Sequence, residues 1–320
     1  MKPFLAAALI CLATNATAET YPSRPITIVV PTTAGGPPDT LARLIAEPMR
    51  SVLGQPVIVE NVTGAGATLG VARVARAAPD GYTLSLGHVN SHVFSSLTYP
   101  TTYDVLKDFE PIALLTLAPM AIYGRMGLPG TNLKELAAWL KENPDKLSFG
   151  SVGVGGPARV WAADFQDKIG TRFQFVPYRG AIAAAQDVVA GQIDLSGGEG
   201  TNALTLSRAG KLKIYAVLTE KRWSVAPDVP TIRETGVPGL EMPFWHGIWA
   251  PKGTPQEVIA KLNAAVVHAL ADPVVRARFV QSGQDTYPPD QQTPQFLGAY
   301  HKAEVEKWGV VIKATGVKAE

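Results

Sequence analysis

Ile26–Val30 (ITIVV), followed by residues 31–38 (PTTAGGPP), is the stretch that decides the fold. Every residue of ITIVV is β-branched, which stiffens the side chains and favours a pleated strand. Pro31 closes the run, and Gly35, Gly36 and the surrounding prolines mark a loop. Beyond it, Leu41, Leu44, Ile45 and Val52 recur at helical spacing over residues 40–53, with Asp39 placed as the N-cap. Strand, glycine-rich loop and helix together form the first unit of an α/β fold.

The same alternation continues outward. Residues 57–59 and 82–86 predict strands, with a helix over 67–77 between them. The order strand–helix–strand–helix–strand predicts a parallel sheet. The pattern restarts with helices over 133–141, 157–169 and 181–190 and strands over 147–150, 173–176, 193–196 and 212–218. Residues 255–316 predict mainly helix, each segment opening on a Pro or Thr-Pro signal. No Gly/Ser linker separates the two α/β units, so they are expected to pack as lobes.

Composition agrees with this. The 320 residues suit about two domains at roughly 100–200 residues each, and 46% of them are hydrophobic, enough for packed cores. A net charge of +2 gives no electrostatic case for a nucleic-acid partner. Apart from the N-terminus, no apolar run has the length of a membrane span.

Residues 1–18 (MKPFLAAALICLATNATA) carry Lys2, a short apolar stretch and an A-x-A site at 16–18, the pattern of a cleaved export signal. Cys11, the single cysteine, lies inside this segment. Ile10 stands where a lipoprotein signal requires a small residue. The exported chain is therefore expected to be unanchored and cysteine-free, as suits an oxidising compartment.

Enzyme signatures are missing. No Gly-Lys-Ser/Thr follows Gly35-Gly36, so there is no P-loop. Residues 64–70 (GAGATLG) are one residue too long for a dinucleotide fingerprint and follow the second strand, not the first. His88 and His92 stand four apart, but without the glutamate of a metalloprotease helix. No nucleophile elbow is present. Glu199 in a glycine-rich loop is a lone carboxylate. Neither a cofactor nor a metal is expected.

What remains is a set of loops after strands: residues 31–38, 87–92 (GHVNSH), 151–157 (SVGVGGP), 178–180 (YRG) and 196–202 (SGGEGTN). In open α/β sheets ligands bind beyond the strand C-termini. There the loops lead into helix N-termini, whose free N–H groups and dipole favour anions. Arg159, in the first turn of a helix, is a candidate bidentate partner for a carboxylate. Trp161 reads as core, whereas Trp245 has two readings, core or an aromatic cleft wall.

Further segments, in order and spacing, carry a resemblance. They are residues 21–26 (YPSRPI), 53–57 (LGQPV), 78–84 (APDGYTL), 108–112 (DFEPI), 176–178 (VPY), 227–231 (PDVPT), 253–255 (GTP) and 307–309 (KWG). Over essentially the whole exported chain the sequence resembles the Bug-type extracytoplasmic solute receptors, the periplasmic binding subunits associated with tripartite tricarboxylate transporters.

That resemblance implies a two-lobed periplasmic binding protein fold of type II, with Rossmann-like lobes joined by two crossovers near Tyr123 and Trp245. The first lobe would be 19–122 plus 247–320, and the second 123–246. It also implies capture of a small organic carboxylate by hinge closure, largely through backbone amides and water. Carried over by position, the first-lobe contacts are Thr32, Thr33, Ala34, Gly35, Gly36, His88, Ser91 and His92. Those of the second lobe are Ser151, Gly153, Gly155, Gly156, Pro157, Tyr178, Arg179, Gly180 and Glu199. Arg159 and Trp245 join them as candidates from the residue reading.

The family usually carries other residues at 32–34, 154, 156, 159 and 198, so the ligand is not transferable from a relative. Val154, Gly156 and Ala34 suggest a roomy apolar pocket suited to an aromatic or branched carboxylate. The expected protein is a monomer whose partner is a membrane permease or a sensor kinase. An exported α/β hydrolase using Glu199 with His88 or His92 is the alternative from another class.

Overall fold

The computed structural model describes residues 20–236 and 241–318; the expected export signal lies outside them. The chain opens with β1 (Ile26–Val30), α1 (Pro37–Leu53), β2 (Val57–Asn61), α2 (Thr68–Ala75) and β3 (Thr83–His88). A π-helical turn (Asn90–Phe94) then runs into the one-turn α3 (Ser95–Thr98). The middle of the chain holds β4 (Phe109–Arg125), α4 (Leu133–Glu142), β5 (Ser148–Val152), α5 (Pro157–Ile169) and β6 (Gln174–Tyr178). It continues with α6 (Ala181–Ala190), β7 (Leu195–Glu199), α7 (Gly200–Arg208) and β8 (Leu212–Val217). The chain closes with β9 (Pro243–Pro251), α8 (Gln256–Ala271), α9 (Pro273–Ser282), β10 (Asp285–Thr286) and α10 (Pro294–Thr315).

Two half-sheets share strand β4. In the first lobe the order is β2-β1-β3-β9-β4, with β10 also on β4. β1 pairs in parallel with β2 and β3, and β9 runs antiparallel to β3 and β4. In the second lobe β7, β5 and β6 are mutually parallel neighbours, while β7 and β8 lie antiparallel to β4. Phe109 to Pro119 pair with β9, and Met120 to Arg125 with β7 and β8. The change of partner falls at Pro119/Met120, slightly ahead of the expected Tyr123 crossover.

Neither β4 nor β9 was expected as a strand from the sequence. At 17 residues with two internal prolines, β4 looks unlike a strand. Its prolines sit where the register shifts or the partner changes, positions at which a missing N–H is tolerated.

Burial explains the layers. Ile26, Ile28 and Val30 pack with Leu41, Ile45 and Met49 of α1 and with α8, while Val29 faces the opposite cluster. This is the period-two alternation of a strand set against the i, i+4 stripe of a helix. Fully burying each such side chain contributes about 1.5–3 kcal/mol. One reading needs correction. Asp39 is not an N-cap, because α1 begins at Pro37, where the ring pre-sets helical φ. Its carboxylate instead accepts from the Gly35 N–H at 2.8 Å and from Arg43 at 3.0 Å.

Candidate functional site

The C-terminal ends of β1, β2, β3, β5, β6 and β7 meet at one cavity of about 640 Å³ lying between the lobes. Three helices that start at its wall, α1, α5 and α6, have glycine N-caps (Gly36, Gly156 and Gly180) and no side-chain cap. By contrast, α4, α9 and α10 cap themselves through Asn132, Asp272 and Thr293. A glycine cap leaves the remaining first-turn N–H groups available, Asp39 in α1 after Pro37 and Pro38, Ala158 and Arg159 in α5 after Pro157, and residues 181–183 in α6, with the positive end of each dipole at the cleft. Thr32 adds a buried Oγ1 with no hydrogen-bond partner among the described residues. Arg179 is an exposed cation at the wall and has no ion-pair partner among the described residues. The arrangement can hold an anion.

Of the residues expected here, Thr32, Thr33, Gly36, His88, Gly153, Pro157, Tyr178, Arg179, Gly180 and Glu199 line the cavity. The others do not. Ala34 and Gly35 stand exposed at the loop tip. Ser91 is fully buried, its Oγ taking the His88 N–H at 3.0 Å. His92 is sealed in the core, stacked 4.0 Å from the Trp249 ring. Burial, together with neighbouring His301 and His88, pushes its pKa well below the usual histidine value.

Ser151 Oγ donates to the Gly153 carbonyl at 3.1 Å and shapes the loop from beneath. Gly155 packs against Thr98, and Gly156 lies over the Val152 carbonyl. Arg159 turns away from the cleft: its guanidinium sits 3.4 Å from the centre of the Phe175 ring, a cation–π contact that sequence spacing does not reveal. Trp245 lies in the first-lobe core, where its indole N–H donates to Glu304 at 3.0 Å.

Tyr99, Ile182, Phe244 and the turn at Ala65–Ala67 also line the cavity and were not singled out from the sequence. The Gly64-Ala65-Gly66 pattern, which fails as a dinucleotide fingerprint, is the sequence signal of this turn. In the structure Ala65 and Ala67 hold φ of 43° and 86°, left-handed values costly for alanine and typical of functional turns. Tyr99 packs on Gly66 and accepts a hydrogen bond from the Val154 N–H.

The floor of the cleft is polar and fully built. His88 on β3 stands opposite His246 on β9. His246 Nδ1 lies 3.1 Å from Thr116 Oγ1 on β4, and its Nε2 lies 3.5 Å from Glu199 at the end of β7. Glu199 also accepts from the Gln284 amide at 2.7 Å. Burial, and then His246, holds the His88 pKa well below its ordinary value. His88 is therefore neutral at pH 7. At the second-lobe wall, burial and then Asp187, which the phenol bonds at 2.6 Å, push the Tyr178 hydroxyl up to about 12.

A family model described as "Tripartite tricarboxylate transporter family receptor" matches residues 41–317. A protein of Agrobacterium vitis, "UPF0065 protein in the TAR-I ttuE-ttuC' intergenic region", is 42% identical over 298 residues, spanning 93% of this chain and 86% of its own. Among solved structures, the periplasmic binding protein BugD superposes with a TM-score of 0.88 at 40% identity, covering 94% of this chain and all (100%) of its own. MatC (Rpa3494) from Rhodopseudomonas palustris, with bound malate, superposes at 0.86 with 39% identity, covering 91% and 100%.

Proposed function

This chain belongs to the tripartite tricarboxylate transporter receptor family, and on that premise we propose that it is a periplasmic receptor capturing a small organic carboxylate between its lobes. The observation that carries the reading is the convergence of α1, α5 and α6 on one cavity, each with a glycine N-cap and none with a side-chain cap. Malate in the relative MatC supports carboxylate as the ligand class. The proposed lobes hinge on β4 and β9, with the boundaries expected near Tyr123 and Trp245 placed instead at Pro119 and Pro243, because β9 from Pro243 onward pairs with β3 and β4 of the first lobe. Residues 1–18 act as a cleaved export signal, and the closed monomer delivers its ligand to the permease subunits of a tripartite transporter. A sensor kinase as partner would use the same capture step.

Capture here involves no turnover. His92, one histidine of the alternative hydrolase reading, is sealed in the core, and Glu199 faces His246 and Gln284. The test is a thermal-shift and calorimetric screen of the protein from residue 19 onward against mono-, di- and tricarboxylates. A ligand at 100 times its Kd stabilises the native state by about 2.7 kcal/mol. The expected result is one-to-one binding with the ligand recovered unchanged. Absence of a shift with every carboxylate, or conversion of one, overturns the reading.

A further inference from the structure

A second set of interlobe contacts lies beside the cavity. Trp223 belongs to the second lobe, buried in that lobe's own cluster with Ala203, Leu204 and Leu212, in the loop that follows β8. The loop is braced: Arg222 pairs with Glu234 at 2.8 Å and donates to the Pro227 carbonyl at 2.9 Å. From it the Trp223 indole N–H reaches the first lobe and donates to the Gly283 carbonyl at 2.8 Å. The ring sits between two glycines, one from each lobe. A Cβ at Gly200 would meet it at 2.9 Å, and one at Gly283 at 2.4 Å.

One residue further on, the Gln284 amide donates to Glu199 at 2.7 Å, and both side chains are buried. Gly283 caps α9 with φ 75°, the left-handed value that suits glycine there. Asp285 and Thr286 then pair with Leu117 and Thr116 of β4, so the Gly283-Gln284 dipeptide is fixed on the first-lobe part of that strand. Glu199 and Trp223 follow β7 and β8, which both run antiparallel to β4, with Gly198 and Val217 both opposite Ala121. The two strands therefore end at one level, the level of the cavity that Glu199 lines, whereas Trp223, Gly283 and Gln284 stand outside its lining. Opening the cleft parts both hydrogen bonds.

We propose that Trp223 and Glu199 of the second lobe, docked on Gly283-Gln284 of the first, form a latch that holds the lobes closed without help from a ligand. The latch goes beyond the carboxylate-receptor reading and does not depend on which ligand is captured. In the open arrangement water satisfies all these groups; in the closed one they satisfy each other in a buried site. Losing either bond thus falls on the closed arrangement alone and shifts the closed-to-open ratio by about 2- to 10-fold. A smaller closed fraction weakens every ligand by the same factor.

From residue 19 onward the chain has no cysteine, so spin labels can be placed at Val52→Cys and Val189→Cys. Both sites are exposed, and they lie at the far ends of α1 and α6, one on each lobe. Double electron–electron resonance on this labelled protein, with no ligand added, gives the distribution of interlobe distances. The expected result is a dominant short distance. In Trp223→Phe, which keeps a ring between the glycines, and in Gln284→Leu, a longer distance should gain on it by about 2- to 10-fold. A distribution already dominated by the long distance overturns the latch. So does one that neither variant moves, even where thermal melts show a lower Tm, because the contacts then serve stability alone. Carboxylates that bind in the screen above should lose affinity in both variants by one common factor. Binding of none overturns the carboxylate reading, while the distances still decide the latch.

Discussion

The Val154 N–H donates to the Tyr99 hydroxyl at 3.1 Å, joining the second lobe to the first across the mouth of the cleft. Beside it, Gly155 packs so closely on Thr98 that a Cβ there would meet Thr98 Oγ1 at 2.2 Å and its Cβ at 2.3 Å. The lobes are in contact along this edge. Gly155→Ala should therefore hold them apart and weaken carboxylate binding at least about tenfold, since the closed state supplies the second-lobe contacts. The added methyl clashes with the other lobe and not with its own, so the ligand-free protein should keep its Tm. Gly156→Ala is the contrast, because its Cβ would lie 2.2 Å from the Val152 carbonyl of the same lobe. Calorimetry together with thermal melts separates the two. Loss of stability in Gly155→Ala without loss of binding would refute the interlobe role.

Gly36 caps α1 with φ −76°, a conformation open to any residue. A Cβ there would lie 3.4 Å from the Thr33 carbonyl, an ordinary contact. Gly36→Asp should cap the Asp39 N–H, the one free first-turn N–H of α1 because Pro37 and Pro38 carry none, and leave stability unchanged or raised by a few tenths of a kcal/mol. The same carboxylate should compete with the ligand for that N–H and repel it, lowering affinity by about tenfold or more. Melts and titrations on one sample test both signs. An unchanged carboxylate affinity removes α1 from the site.

How much of this was legible in the sequence depends on where the controlling contact lies. Helix α6 was predicted at its observed limits because Gly180 and Gly191 bracket a short apolar run, a local signal. The loops at 31–38, 151–157 and 178–180 were assigned to the cleft because strand, loop and helix are neighbours in sequence, and parts of each line it. Side-chain direction was not legible. Arg159 turns toward Phe175 and Trp245 toward Glu304, partners distant in the chain. Strand β4 was hidden because its run is apolar on both faces, which gives no period to read. Tyr99 and Phe244 reach the cavity from segments with no glycine-rich signature.

Glu304 accepts from two buried indoles, Trp245 Nε1 at 3.0 Å and Trp308 Nε1 at 3.1 Å. It pins α10 to β9 inside the first lobe. Glu304→Leu leaves both donors unpaired and should cost about 2–6 kcal/mol, at roughly 1–3 kcal/mol for each unmet buried group. Glu304→Gln keeps an acceptor oxygen and should cost clearly less. Urea denaturation of the two variants reads the difference; equal losses would mean that packing, not the acceptor, holds the indoles.

Three buried histidines tie the stability of the fold to pH. Burial lowers the pKa of His88 and His92 well below the usual value and that of His301 to about 4. In the unfolded chain each titrates near about 6.5. Between those values the unfolded state binds more protons than the native state, so stability falls as pH falls. It is fully present above about pH 6.5. Each histidine contributes a slope of at most about 1.4 kcal/mol per pH unit within its window. For His301 that window runs from about 6.5 down to about 4. Its Nε2–H donates to the His92 carbonyl at 2.7 Å, a bond the amide of glutamine can replace. His301→Gln should therefore flatten the loss of stability between pH 6.5 and 4 by close to one histidine's worth while sparing the fold at pH 7. Denaturant titrations at stepped pH measure the slope; a slope equal to wild type would show that His301 does not carry this proton linkage.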